Sequence, residues 1–212
     1  MPKYFGEYAD FETASKKDSG GLLSADNMVG DIYDIDIELE DGIHRAWLEN
    51  RFGQRVGFLK PKTSRQLSLF AADGMICKAI LSFVAFSSVP DDGHYWGQVA
   101  IICYNSAYES EFSTFIKGVS EKIAGDVRPK LNFDAEGVDK IIESGGTWMP
   151  TQTIALPSNN DHMSVLKRKR SMSDRLIEQG RAGNKGCYVV SWVFLLVIVA
   201  LLVFALKSCM GW

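Results

Sequence analysis

Motifs for metal binding and covalent catalysis are missing from this sequence. None of its 4 cysteines stands in a CxxC pair or at a Cys/His metal spacing, so the common structural zinc modules are excluded. No HExxH, GxSxG or glycine-rich phosphate loop occurs, and with them go the signatures of zincins, α/β-hydrolases and P-loop enzymes. Histidine is scarce, with 3 residues at His44, His94 and His162. The first residues, MPKYFGEYADFET, hold no apolar h-region, so no secretory signal is expected. No internal repeat is present.

One long segment lacks charge altogether. From Gly186 to Leu206 the chain reads GCYVVSWVFLLVIVALLVFAL. Residues 187–206, at about 1.5 Å per residue, would make a helix of roughly 30 Å, the thickness of a bilayer's hydrocarbon core. Tyr188 and Trp192 near one end and Trp212 beyond the other suit the interfacial preference of aromatic rings. A helix apolar on every side needs lipid or a large surrounding protein, and the expectation is a single transmembrane helix. Ser191 is its only clearly polar residue, which offers no ion path, and it contains no GxxxG pair.

The charge that is missing there is concentrated just before it. Lys167, Arg168, Lys169, Arg170, Arg175, Arg181 and Lys185 face only Asp174 and Glu178, so seven basic residues against two acidic leave a net of +5. A single Lys207 follows the run. Cytoplasmic flanks carry the excess of Lys and Arg, so the N-terminal side is expected in the cytoplasm, with the seven basic residues on anionic lipid. Leu166, Met172, Leu176 and Ile177 are interleaved among them, as in a helix lying on a membrane. The whole chain is −3; without the +5 neck and Lys207, residues 1–161 carry −9. An acidic domain on a basic stalk is poorly suited to tight, non-specific nucleic-acid binding.

Within the domain the periodicity is that of an α+β fold. Residues 1–30, with the polar run SKKDSGG, are expected to be a flexible arm, with a short docked piece near Tyr4 and Phe5 as the one ordered part. In DIYDIDIELE, Ile35, Ile37 and Leu39 alternate strictly with Asp34, Asp36, Glu38 and Glu40, which predicts a half-buried strand with a solvated acidic face. Asp41-Gly42 is a hairpin signal, IHRAWLE the partner strand and QRVGFL a third. Pro61 ends that strand, and Lys62 to Ala72 read as a helix stopped at Asp73-Gly74. MICKAILSFVAFS (75–87) and YWGQVAIICY (95–104) are two longer strands joined by a loop. Phe112, Phe115, Ile116, Val119 and Ile123 then fall at helical spacing up to Gly125, and Asp134 caps a second helix ending at Gly145-Gly146.

The expected architecture is a small curved antiparallel sheet or barrel of about 5–6 strands. It carries one inserted helix, two following helices and one C-terminal transmembrane helix. The expected segments are the arm (1–30), a cytoplasmic domain (31–149), a linker with basic neck (150–186), the transmembrane helix (187–206) and a short non-cytoplasmic tail (207–212). Cys77 and Cys103 lie in apolar segments and read as small buried core thiols, in keeping with a reducing compartment.

Candidate chemistry is sparse. Asp91, Asp92 and His94 in one loop could surround a cation and serve a metal-dependent enzyme, although a plain hairpin loop accounts for the same residues. His44 reads as a surface imidazole and His162 as part of the linker. No cofactor is expected, no metal site is assigned and no residue is given a catalytic role. Arg45, Arg51, Arg55, Lys60, Lys62 and Arg65 form the only basic-rich stretch of the domain. With Tyr33, Trp47, Phe58 and Trp96 as stacking platforms, they make a candidate nucleic-acid surface if they share one face.

The segment from Asp41 to Val84, through HRAWLENRFGQRVGFLKPKTSRQLSLFAADGMICKAILSFV, resembles a HIRAN domain. Gly53, Val56, Gly57, Leu59, Pro61, Leu67 and Gly74 carry the likeness, which covers residues 32–104 at most. It implies a small β-barrel that binds nucleic-acid ends or similar ligands as an accessory module. The family's Asn/Asp-rich stretch before the second strand is replaced by the Asp41-Gly42 turn, so no individual binding residue carries over. The leading expectation is a tail-anchored, single-pass membrane protein whose non-enzymatic cytoplasmic module binds a protein partner. A membrane-tethered nucleic-acid binder comes second, and the metal-dependent enzyme third.

Overall fold

The alternation in DIYDIDIELE becomes the first wall of a closed barrel. The computed structural model describes residues 4–13, 16–88, 93–157, 163–181 and 194–198. It divides into two units, residues 1–170 and 171–212. In the first unit the strands are β1 (Tyr4–Glu12), β2 (Ile32–Glu40), β3 (Ile43–Glu49), β4 (Arg55–Leu59), β5 (Met75–Ser87), β6 (His94–Asn105) and β7 (Met163–Lys167). The helices are α1 (Lys16–Leu23), α2 (Pro61–Ala72), α3 (Glu109–Ala124) and α4 (Ala135–Glu143).

Six antiparallel strands run in the order β2-β3-β4-β1-β6-β5, and β2 pairs back onto β5 through Ile32↔Ile80, Tyr33↔Ala79 and Asp34↔Lys78. The β1–β4 seam is as short as this closing one, with Phe11 opposite Leu59 and Glu12 opposite Phe58. β7 joins β5 further along, with Ser87 opposite Met163. The expected curved sheet with an inserted helix and two following helices is present. The sixth barrel strand is β1, in the region expected to be an arm.

Two cores follow from alternation in the barrel wall. Inward go Phe11, Tyr33, Ala46, Leu48, Leu59, Ala79, Leu81, Val99 and Ile101, joined by Leu22 of α1 and Leu67 of α2. The ring of Phe11 lies against two neighbouring strands, and a Cβ on Gly57 or Gly97 would fall within 2.7 Å of it. Outward from β5 and β6 go Ile80, Ala100, Ile102 and Tyr104, which meet Phe112, Phe115, Ile116, Val119 and Ile123 of α3 and Val138 and Ile141 of α4. The helical stripe foreseen in α3 is therefore buried on the outside of the barrel. Asp134 caps α4 as expected, accepting from the Gly137 amide at 3.0 Å.

Three expectations give way to tertiary pairing. Residues 4–12 are a full strand: β1 pairs with β6 from Tyr4↔Tyr104 to Glu12↔Trp96. Its pattern hid this, because Glu7 shares the inward side with Phe5, Ala9 and Phe11 while Tyr4 and Tyr8 point outward under the helices. Second, residues 150–170 are not all linker. Pro129 bridges to Thr153, and β7 extends the sheet. Third, Cys77 and Cys103 are joined as a disulfide across the directly opposed positions Cys77↔Cys103 of β5 and β6, where free core thiols were expected. The pairing depends on a register between segments separated by 26 residues.

In the second unit, α5 (Met172–Arg181) begins at a Ser171/Asp174 capping box. The Ser171 amide donates to Asp174 Oδ2 at 3.0 Å, and the Asp174 amide to Ser171 Oγ at 3.1 Å. Met172 and Leu176 are exposed on it. Of the apolar run 187–206 only 194–198 lie within the described residues, as helix. Among the described residues no helix is long and apolar enough to cross a membrane.

Candidate ligand cleft

The register of β1, β5 and β6 assembles a cleft that no local motif announces. Asp10 lies opposite Gln98, Glu12 opposite Trp96, and Ser87 opposite His94. With Lys60 from the end of β4 and Met163 from β7, these strands line a space of about 330 Å³. Trp96 is half-buried and packs edge-on against Phe83, ring centroids 5.5 Å apart.

One carboxylate of the cleft is held from behind. Asp10 accepts from Gln98 Nε2 at 2.9 Å and pairs with Lys60 Nζ at 3.2 Å. Gln98 Oε1 in turn accepts from the buried guanidinium of Arg128. Arg128 also donates to Ser82 Oγ at 3.0 Å and to the Ala155 carbonyl at 2.7 Å, and lies over the Tyr8 ring at 4.5 Å. Burial pulls the guanidinium pKa down, while the neighbouring Tyr8 and Asp10 oppose that shift. Burial likewise raises the Tyr8 phenol well above its ordinary value. The Arg128–Gln98–Asp10 relay fixes the carboxylate, so the cleft offers a preset acceptor beside an indole and a second carboxylate, Glu12. That combination suits a cationic or amide-bearing group with an apolar stem.

The six basic residues expected to bind nucleic acid fall in separate places. Arg45 and Arg55 stand on the outer face of β3 and β4. There Arg45 pairs with Glu40 at 2.8 Å, and Arg55 with Asp36 at 2.7 Å and Glu49 at 3.5 Å. Both guanidiniums lie over Trp47. The Arg55 hydrogen bond lowers the pKa of Glu38. Arg51 sits over Phe52 in the β3–β4 loop, Lys60 lines the cleft, and Lys62 and Arg65 are exposed on α2. Of the proposed stacking platforms, Tyr33 is fully buried and donates to Asn27 Oδ1 at 3.0 Å. Phe58 lies beneath Arg45.

The other sequence-derived sites also divide. His94 is exposed at the cleft, His44 is half-buried opposite Leu39, and Asp91, Asp92 and His162 lie outside the described residues. Among the described residues no three His, Cys, Asp or Glu side chains gather as a metal site. In the basic neck, Lys167 Nζ donates to the carbonyls of Leu22 (3.0 Å), Ser24 (2.8 Å) and Asn27 (3.1 Å). Arg170 donates to the Val29 carbonyl at 3.2 Å and pairs with Asp31 at 2.9 Å. Two of the seven residues assigned to lipid are thus committed to the barrel. Arg168 pairs with Asp126 at 3.3 Å and remains more than half exposed; Lys169 and Arg175 are exposed. Arg181 falls at the end of α5, and Lys185 lies outside the described residues.

Asp10, Glu12, Ser87, Gln98 and Arg128 carried no sequence signal, because each is an ordinary strand or loop residue until the register aligns it with the others. Compared with models of protein families, with curated proteins and with solved structures, the chain finds no match.

Proposed function

We propose that this chain is a tail-anchored, single-pass membrane protein whose cytoplasmic barrel is a non-enzymatic module that holds a protein partner at the membrane face. The carrying observation is the uncharged run 187–206 directly after a neck of net charge +5. The test is alkaline extraction and protease protection of the full chain made in cells. It should stay with the membrane pellet, with the barrel open to protease on the cytoplasmic side; release into the supernatant removes the proposal.

The partner site best supported is the cleft over Trp96, with Asp10 and Glu12 receiving a Lys or Arg side chain of the partner. A photo-crosslinking residue placed at Trp96 should capture a protein that the same residue at Leu39 does not. Capture lost in the Asp10→Asn, Glu12→Gln double variant would support the charge assignment. Equal capture from both positions would count against the cleft.

A HIRAN-like nucleic-acid function is the second proposal. The closed barrel has the architecture which that likeness implies, but the basic residues lie in separate places and two of them are paired within an acidic face. Titration of the protein with fluorescent single-stranded oligonucleotides at two salt concentrations separates the readings. Salt-sensitive micromolar binding would favour nucleic acid.

A further inference from the structure

The neck leaves the barrel at a defined place, and that place has the composition of a surface for lipid. Lys167 and Arg170 bind the carbonyls of residues 22–29 and the Asp31 carboxylate, and the Arg170 amide donates to the Ala124 carbonyl at 2.9 Å. This latch joins three segments: the turn after α1, the C-terminal end of α3, and β7. Exposed apolar side chains stand on all three, namely Leu23 (40%), Val127 (40%) and Leu166 (45%). Lys122, near the end of α3, and Arg168 and Lys169, just after β7, are exposed as well. Of the acidic neighbours, Asp126 is occupied by Arg168, and Glu121 is exposed.

Residues 171–186 separate the latch from the apolar run, and ten of them form α5. Arg168 and Lys169 therefore stand fewer than about twenty residues of chain before Cys187, where the apolar run begins.

We propose that this exit face, with Leu23, Val127, Leu166, Lys122, Arg168 and Lys169, docks on an anionic bilayer surface. The inference rests on the tail-anchored reading. Lys167 and Arg170 hold β7 and the chain after it against the turn that follows α1, while Arg168 and Lys169 meet lipid headgroups. Charge and apolar insertion act together, as for other interfacial segments.

The test is hydrogen exchange on the full chain in bilayer discs of phosphatidylcholine alone and of phosphatidylcholine with phosphatidylserine. Amides of residues 22–24 and 121–128 are expected to exchange at least several-fold more slowly in the anionic discs. Arg168→Glu with Lys169→Glu, and separately Val127→Asp, should abolish that difference, whereas Lys62→Glu with Arg65→Glu on α2 should preserve it. Unchanged melting of the variants separates loss of docking from loss of fold. Equal exchange in the two lipids, with the chain resistant to alkaline extraction, overturns the docking face and leaves the anchor standing. A chain extracted from the discs by alkali overturns both.

Discussion

One half of the barrel meets solvent on its outer face and the other half does not, and the two obey different sequence rules. In β2 and β3 the residues alternate: Ile35, Ile37, Ala46 and Leu48 inward, Asp36, Glu38, Arg45 and Trp47 outward. In β5 and β6, α3 and α4 cover the outer face, so burial is nearly continuous from Ala79 to Ala85 and from Gly97 to Tyr104. A period of two marks a strand only where one side is wet. The polar groups follow the same division. On the open half Arg55 is exposed among Asp36, Glu38 and Glu49, whereas on the covered half Arg128 is buried and each of its three guanidinium nitrogens donates to a group held by the fold.

The comparison breaks most sharply at the covered face. Phe115→Ala removes a fully buried ring between barrel and helices and should cost about 3–5 kcal/mol in chemical denaturation. Trp47→Ala on the open face should cost clearly less; an equal loss would mean that the two halves are not distinguished by burial. Next comes the latch. Arg170→Ala removes the guanidinium paired with Asp31, which is nine-tenths buried, at a cost of roughly 3 kcal/mol. By the same logic a chain cut after residue 160 should melt lower than one cut after residue 171, because only the longer one keeps β7 and the latch.

Alkaline pH should act on the covered half before the open half. Burial raises the phenols of Tyr4 and Tyr8, which pack outward with the helices, above their ordinary value of 10.0. Above about pH 10 the unfolded chain loses these protons and the native state keeps them, so stability falls as pH rises from there. Phenolate absorbance should then appear together with loss of tertiary signal, and Tyr8→Phe should move the transition upward in pH. Phenolate appearing well before unfolding would contradict that burial. The smallest effect is expected for Arg55→Ala, whose exposed ion pairs are screened by water and salt, with a melting temperature close to the parent at high salt.

Legibility in the sequence tracked how local each feature is. The β2–β3 hairpin could be read because Asp41-Gly42 sits between two short strands whose partners are adjacent in sequence. The helix α2 was equally legible, from Pro61 at its start to the Asp73-Gly74 stop. β1 was not, since its partner β6 lies about ninety residues away and its outward side changes from Tyr4 and Tyr8, packed with the helices, to Asp10 and Glu12 in the cleft. The latch within the neck was not legible for a related reason. Lys167 and Arg170 look like their neighbours in a run of basic residues, and only the backbone carbonyls folded beneath them distinguish a latch from a lipid contact.

By itself, then, the sequence determined the features that need no distant partner. These are the segregation of an acidic domain, a basic neck and an uncharged run; the amphipathic stripes of α3 and α4; and the alternation of β2 and β3. They follow from side-chain chemistry and backbone period within a few turns of chain. Closure of the barrel through β2 and β5, insertion of β1, the Cys77–Cys103 link, the cleft at Trp96 and the docking of β7 were decided only by tertiary structure. Each depends on the register between strands far apart in sequence, where a shift of one residue turns every side chain to the opposite face.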